Sequence, residues 1–270
     1  MARASRHFIP GYIWHLTHRC HKREFLLKFA RDRSRWIELL FEAKKRFQLS
    51  ILNFIVTSNH IHLIVSDQKG DSTISSAMRL IAGRTGQEYN RRKGRKGAFW
   101  EDRYHATAIE SGDHLWRCMV YIDLNMVRAG AVDHPSKWKW SGYNEIQKPK
   151  QRYQVIDQQA LRRLLYVETN EELGQIHRRW VESEVKKSSA RIDHYSSAIA
   201  VGSQEFVKMV QEELKVRAKG RDVSKTAEDQ YQLRESMSPY LANANRLNSL
   251  PAVDAMHDID NMVPWNDTNP

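Results

Sequence analysis

The stretch that decides the fold of this chain is Asn59-His60-Ile61-His62-Leu63-Ile64-Val65. An apolar run from Ile51 to Val56 precedes it, and the residues between the two runs, Thr57-Ser58-Asn59, are a turn signal. Two β-type runs separated by a few turn residues predict a hairpin. Because side chains alternate faces along a strand, the two histidines should share one face while the isoleucine between them points into the core.

A histidine pair on one face of a strand has two interpretations. Two neutral imidazoles in this arrangement can bind one divalent metal ion, and histidine is the commonest side-chain ligand. A pair of structural histidines would show the same spacing. The pattern of His60 and His62 alone therefore leaves both interpretations open.

The elements around the hairpin predict an α+β fold. A strand is expected at residues 11–17, a helix at 32–47, a second helix beginning near Asp71-Ser72-Thr73, and a strand at 98–109. With the hairpin, the order is strand, helix, strand, strand, helix, strand. This order is typical of the ferredoxin-like split βαβ fold, an antiparallel sheet with two helices on one face.

A third helix, predicted over residues 112–128, carries a second set of reactive groups. Tyr121 and Asn125 are four residues apart, so they should lie on the same helical face. A tyrosine phenol can attack a phosphodiester and hold the broken strand covalently. A metal ion bound by the two histidines and a neutral amide oxygen would polarise the phosphate as a Lewis acid.

The composition favours a polyanionic partner. The chain has 270 residues, with 43 Lys and Arg against 32 Asp and Glu, a net charge of +11 and a pI near 9.6. This balance indicates nucleic acid or an acidic membrane surface. Five cations also lie within a stretch of seven residues, and they are Arg91, Arg92, Lys93, Arg95 and Lys96. We expect this block to be a phosphate-contacting loop, and a solvated loop is the alternative.

Other features bear on location and domain organisation. No apolar run reaches the roughly 18–20 residues of a membrane span, and no secretory signal is recognisable. The two cysteines form no motif. We therefore expect a cytoplasmic protein without a membrane partner. The pattern predicts a catalytic domain at 1–149, a helical C-terminal extension at 150–220 and a polar, flexible tail at 221–270.

Four blocks of this sequence resemble the REP-associated tyrosine transposases, which are single-tyrosine members of the HUH single-strand endonucleases. They lie in family order within residues 1–145, and they are Tyr12-Ile13-Trp14-His15-Leu16-Thr17-His18-Arg19, Ser58-Asn59-His60-Ile61-His62-Leu63, Phe99-Trp100-Glu101-Asp102-Arg103-Tyr104, and Tyr121-Ile122-Asp123-Leu124-Asn125-Met126-Val127-Arg128-Ala129-Gly130. Single blocks are weak signals, but four in order are specific.

The resemblance implies metal-dependent cleavage and rejoining of single-stranded or hairpin DNA through a 5′-phosphotyrosine intermediate. It implies that His60, His62 and Asn125 bind Mg²⁺ or Mn²⁺ and that Tyr121 is the nucleophile. The basic residues of the matching blocks, Arg19, Arg103 and Arg128, are expected to contact DNA, and the protein is expected to be a monomer or homodimer. Met126 stands where the family usually has proline, so the helix is free to continue past Asn125.

Two other functions remain open from the sequence. A nucleic-acid-binding protein that kept this fold but lost the chemistry would have the same basic charge, although binding alone does not need the histidine pair or Tyr121. A rolling-circle replication initiator or relaxase uses the same HUH chemistry. We rank it lower because the tyrosine block resembles the transposases and no P-loop motif is present.

Overall fold

The computed structural model describes residues 9–66, 73–186, 194–215, 221–227 and 229–235. Its first part has the predicted order of strands and helices. These elements are β1 (Ile13–Arg19), α1 (Ala30–Phe47), β2 (Ser50–Val56), β3 (His60–Ser66), α2 (Thr73–Lys93) and β4 (His105–Ile109). The predicted split βαβ fold is therefore confirmed.

Strand β1 lies at the centre of this part of the sheet. It pairs antiparallel with β3 on one side and with β4 on the other, and β2 pairs antiparallel with β3. In the β1–β3 register Thr17 is opposite His62 and Arg19 is opposite His60. Strand β3, which carries the two histidines, therefore lies between β1 and β2, and this pairing fixes the direction of its side chains.

Helices cover both faces of the sheet. On one face of β1 the His18 ring stacks on Trp100, whose indole donates a hydrogen bond to the Ala82 carbonyl in α2. Helix α1 packs against α2 on this face. The opposite face carries His15 and lies against Tyr121 of the third helix. The two predicted helices thus share one face, and the third helix covers the other.

The rest of the described chain adds helices and a second group of strands. The helices are α3 (Asp113–Asp123), α4 (Asn125–Arg128), α5 (Tyr143–Gln147), α6 (Gln158–Leu164), α7 (Asn170–Lys186), α8 (His194–Ser197) and α9 (Gln204–Leu214), and the strands are β5 (Ala200–Gly202), β6 (Arg221–Ala227) and β7 (Gln230–Glu235). Strand β5 pairs parallel with β4. The sheet order in the described chain is β2-β3-β1-β4-β5-β7-β6.

Three elements differ from the sequence prediction. Helix α2 continues through Lys93, so the first half of the basic block is helical rather than a loop. Strand β4 begins at His105 and not near residue 98, because residues 98–104 are irregular apart from a bridge between Trp100 and Cys20. The predicted third helix is interrupted at Leu124 and resumes as α4 to Arg128, with Met126 inside α4.

The C-terminal region also differs from the prediction. Residues 221–235, expected in a polar tail, form the β6–β7 hairpin, which joins the sheet through β5. They belong to the same compact unit as the sheet, Met1–Glu235. Residues 236–270 lie outside the described residues. No helix in the described part is long and apolar enough to cross a membrane.

Candidate active site

One pocket of about 490 Å³ brings together the histidine pair, the tyrosine and the amide that the sequence singled out. It lies between the start of β3, the α3–α4 junction and the C-terminal region. Its lining residues are Arg19, His60, His62, Tyr121, Leu124, Asn125, Val127, Arg128, Ala129, Glu184, Val185 and Ser196.

The strand period places the two histidines. His60 is half-buried at the start of β3, and His62 is buried two residues further on. Their rings are 4.9 Å apart and nearly perpendicular. Ile61, between them, is fully buried on the other face, as the alternation predicts.

The helix break places the tyrosine and the amide. Tyr121 lies in the last turn of α3, with its ring edge-on to His62 at 5.7 Å. At Leu124 the chain leaves regular helical geometry, and Asn125 then begins α4. The Asn125 amide Nδ2 lies 3.2 Å from His62 Nε2, so the break does not turn the amide away from the histidines.

A chain of hydrogen bonds leads from His62 into the core. His62 Nδ1 lies 2.9 Å from Nε2 of His15 and 3.2 Å from the hydroxyl of Thr17, both on β1. His15 Nδ1 in turn lies 2.8 Å from the backbone carbonyl of Tyr195 in α8. His15 is fully buried, and because burial removes the solvation of the charged imidazolium, its pKa is lowered to about 3. The ring is therefore neutral.

His60 is held by its own turn. Its Nδ1 lies 2.7 Å from the Asn59 carboxamide oxygen and 3.0 Å from the Thr57 hydroxyl. Thr57 also donates its hydroxyl proton to the His60 carbonyl. These contacts explain why Thr57-Ser58-Asn59 forms a tight turn immediately before the histidine.

Besides the histidines, three other side chains contact Tyr121. The phenol oxygen of Tyr121 lies 3.0 Å from the Ser196 hydroxyl. Its ring packs against the Tyr195 ring at 5.1 Å, and the Arg128 guanidinium lies over the ring at 5.4 Å while donating to the Tyr121 carbonyl. Burial lowers the pKa of the Arg128 guanidinium, and the nearby Tyr121 and Glu184 oppose that change.

The donor set of the pocket fits a divalent metal ion. Two imidazoles and one carboxamide, from His60, His62 and Asn125, converge there, and nitrogen and neutral oxygen donors suit Mn²⁺ and Mg²⁺ in a site that also receives phosphate oxygens. Asn125 presents nitrogen to His62, and a half-turn of its amide would present oxygen instead. Among the described residues no group of three or more His, Cys, Asp and Glu is placed to hold a metal.

The predicted DNA-binding cations fall into two groups. Arg19 and Arg128 line the pocket, whereas Arg103 and the basic block do not. Within the block, Arg92 forms an ion pair with Asp32 of α1. Arg95 donates to the Ala98 carbonyl and lies 3.7 Å from the Glu24 carboxylate. These two arginines are therefore engaged in internal contacts.

Sequence reasoning assigned no role at the site to three residues near the reacting groups. They are His15, which contacts His62, and Glu184 and Ser196, which line the pocket from α7 and α8. The strand period offers a signal for His15, because it lies two residues before Thr17 and so on the same face of the strand that pairs with the histidine strand. Glu184 and Ser196 have none, because their approach depends on how the C-terminal region packs.

Part of the chain matches a known protein family. The match includes the split βαβ sheet, which presents a histidine pair to a tyrosine on the facing helix. Residues 9–125 match the family model described as "Transposase IS200 like". This segment is less than half of the chain, so the match shows a likeness of residues 9–125 to these transposases.

Two solved structures resemble this one. The first is a REP-associated tyrosine transposase bound to a REP hairpin, with 24% identity, 54% of this chain and 84% of that chain covered, and a TM-score of 0.46. The second is a putative transposase from Deinococcus radiodurans R1, which is 12% identical and has a TM-score of 0.32. The alignment covers 43% of this chain and 91% of that chain. Comparison with curated proteins gives no match.

Proposed function

We propose that this protein is a transposase, a metal-dependent single-strand DNA endonuclease that cleaves and rejoins DNA at hairpin-forming repeats through a 5′-phosphotyrosine intermediate. The observation that carries the proposal is the convergence of Tyr121, His60, His62 and Asn125 on one pocket. The hairpin repeat as the target comes from the sequence resemblance to the REP-associated enzymes.

The chemistry assigns one role to each group. The Tyr121 oxygen attacks the scissile phosphorus, a bond forms between them, and the bond from phosphorus to O3′ breaks. The departing strand leaves with a free 3′-hydroxyl, and the phenol proton is lost during attack because free tyrosine has a pKa near 10. Mg²⁺ or Mn²⁺ held by His60, His62 and Asn125 would supply Lewis-acid polarisation of the phosphate.

Two cations are placed to hold the strand at the pocket. Arg19 is opposite His60 in the β1–β3 ladder, and Arg128 lies against the Tyr121 ring. Arginine suits phosphate because its planar fork of donors matches two phosphate oxygens. We assign these two residues to the phosphates that flank the cleaved bond.

A non-catalytic DNA-binding protein is the second candidate function. The basic charge and Arg19 and Arg128 at the pocket would serve it equally well. What favours catalysis is that the phenol, two imidazoles and an amide share one pocket, which binding does not require.

The test is a search for a covalent adduct. The protein is incubated with Mg²⁺ or Mn²⁺ and a pool of labelled single-stranded hairpins with randomised flanks, because the target sequence is not known. A labelled band that survives denaturation and disappears with EDTA is expected. Binding to the pool without any adduct, in either metal, would contradict catalysis and favour the DNA-binding candidate.

A further inference from the structure

We propose that the Tyr195–Ser196 segment of α8, which lies outside the family-matched residues 9–125, positions both reacting groups of the pocket, acting on His62 through His15 and on Tyr121 directly. The roles of His62 and Tyr121 rest on the proposed function. The positioning itself is a statement about hydrogen bonds and proton positions, and it can be tested in the metal-free protein.

The first step concerns the proton on His15. A backbone carbonyl accepts hydrogen bonds and cannot donate them, so the 2.8 Å contact between His15 Nδ1 and the Tyr195 carbonyl requires a proton on that nitrogen. Because His15 is fully buried, where an imidazolium would lose its solvation, its ring is neutral and carries only this proton. His15 Nε2 must therefore be an acceptor.

The second step concerns His62. Its Nδ1 lies 2.9 Å from the accepting Nε2 of His15, so the proton of this contact must come from His62. A neutral His62 then has its lone pair on Nε2. That nitrogen lies 3.2 Å from the Asn125 amide nitrogen, which donates to it, at the wall of the pocket. Through His15, the Tyr195 carbonyl thus selects the His62 tautomer whose Nε2 lone pair faces the pocket and can bind a metal ion.

His60 reaches the same tautomer by another route. The Asn59 amide nitrogen donates to the Arg23 carbonyl, so its oxygen faces His60 Nδ1 and must accept a proton from it. Both histidines therefore have the lone pair on Nε2. For His60 the partner comes from the adjacent turn, whereas for His62 it is His15 of β1, which is itself held by the Tyr195 carbonyl.

The same segment reaches the phenol. The Ser196 hydroxyl lies 3.0 Å from the Tyr121 oxygen and lines the pocket. The segment is fastened to β4, because the Thr107 hydroxyl lies 3.0 Å from the Tyr195 carbonyl and 2.7 Å from the Ala198 carbonyl. Its position relative to the histidine strand is therefore set by the sheet itself.

The direct test is nuclear magnetic resonance of the histidine ring nitrogens in metal-free protein. Long-range ¹⁵N–¹H spectra distinguish the two neutral tautomers, and comparison with His62→Gln assigns the signal. The expected result is His62 with its proton on Nδ1. A proton on Nε2 would overturn the proposal, and this measurement on unaltered protein decides it whether or not any variant folds.

A matched pair of variants tests the effect on metal binding. His15 contacts the Tyr195 carbonyl and also His62, whereas His105 contacts the Ala198 carbonyl three residues further on. His15→Phe should weaken Mn²⁺ affinity by about 10- to 100-fold, the usual effect of removing such a supporting hydrogen bond. His105→Phe should leave it unchanged, and His15→Gln, which keeps a donor and an acceptor, should recover part of the affinity.

A second pair tests the phenol contact. Ser196→Ala should leave Mn²⁺ affinity unchanged and slow adduct formation by about threefold to tenfold, the worth of one hydrogen bond. Ser197→Ala, its neighbour in α8, should change neither. Equal Mn²⁺ affinity in His15→Phe and His105→Phe would overturn the role of His15. If unaltered protein forms no adduct, the proposed function fails, while the tautomer of His62 still decides the positioning.

Discussion

Proton positions on the histidines depend on residues that are far apart in sequence. The alternation of a strand made it possible to predict that His60 and His62 share a face, because that property is local. It could not reveal His15 as the partner of His62, since the pairing of β1 with β3 decides which residues become neighbours. Ser196 and Glu184 were beyond sequence reasoning because helices of the C-terminal region bring them to the pocket.

The first prediction concerns His60. His60→Ala removes one imidazole donor from the pocket, so metal-dependent cleavage should be abolished. DNA binding should be largely kept, because phosphate contacts supply most of the affinity. Cleavage and gel-shift assays on the same preparation measure both quantities. Cleavage at the normal rate under saturating metal would show that His60 is not a ligand.

Helix α2 shows how far an element can be predicted from sequence. The glycines and cations of the basic block predicted a loop, but the helix continues to Lys93 and three cations lie in its last turn, where the helix dipole favours positive charge. Arg92 packs back on Asp32 of α1, so it links the two helices. The remaining exposed cations of the block are Arg91, Lys93 and Lys96.

The second prediction separates these two kinds of cation. Replacing Arg91, Lys93 and Lys96 with glutamine should flatten the salt dependence of single-strand binding by up to roughly 0.7 log units for each phosphate that these side chains no longer neutralise. Arg92→Gln should mainly lower the melting temperature, because it leaves Asp32 without its ion-pair partner. An unchanged salt slope in the triple variant would place this end of α2 away from DNA.

The third prediction concerns the end of α3, which aims Asn125 at the histidines. Asp123 is buried there and accepts hydrogen bonds from Asn53 of β2 and His177 of α7. Asp123→Ala should lower the free energy of unfolding by about 1–3 kcal/mol for each buried donor left unpaired. Urea unfolding measures this, with the exposed Asp133→Ala as control. Equal stability of the two variants would contradict the packing of this junction.

The whole molecule is larger than the domain that its motifs define. The last motif ends at Gly130, yet α7 and α8 contribute to the pocket and β5 covers the edge of β4. The β6–β7 hairpin was mistaken for a tail because β6 is mostly exposed and polar, so hydrophobic alternation does not mark it. Its place in the sheet depends on pairing with β5, which is set by tertiary structure.

The fourth prediction follows from this extension. A chain that ends at residue 149 lacks α7, α8 and the strands beyond β4, so it should expose apolar surface and the β4 edge. We expect it to aggregate or to melt at a much lower temperature than a chain that ends at residue 235. Differential scanning fluorimetry and size-exclusion chromatography compare them. Equal melting temperatures would show that residues 1–149 fold independently.

The most direct test of the proposed mechanism is to locate the covalent bond to DNA by mass spectrometry. The adduct formed by unaltered protein should map to Tyr121, and Tyr121→Phe, which removes only the hydroxyl, should keep the fold and hairpin affinity but form no adduct. Tyr104→Phe and Tyr143→Phe should still form it, since neither tyrosine lines the pocket. An adduct that persists in Tyr121→Phe and maps to another tyrosine would contradict the assignment of the pocket as the reaction centre.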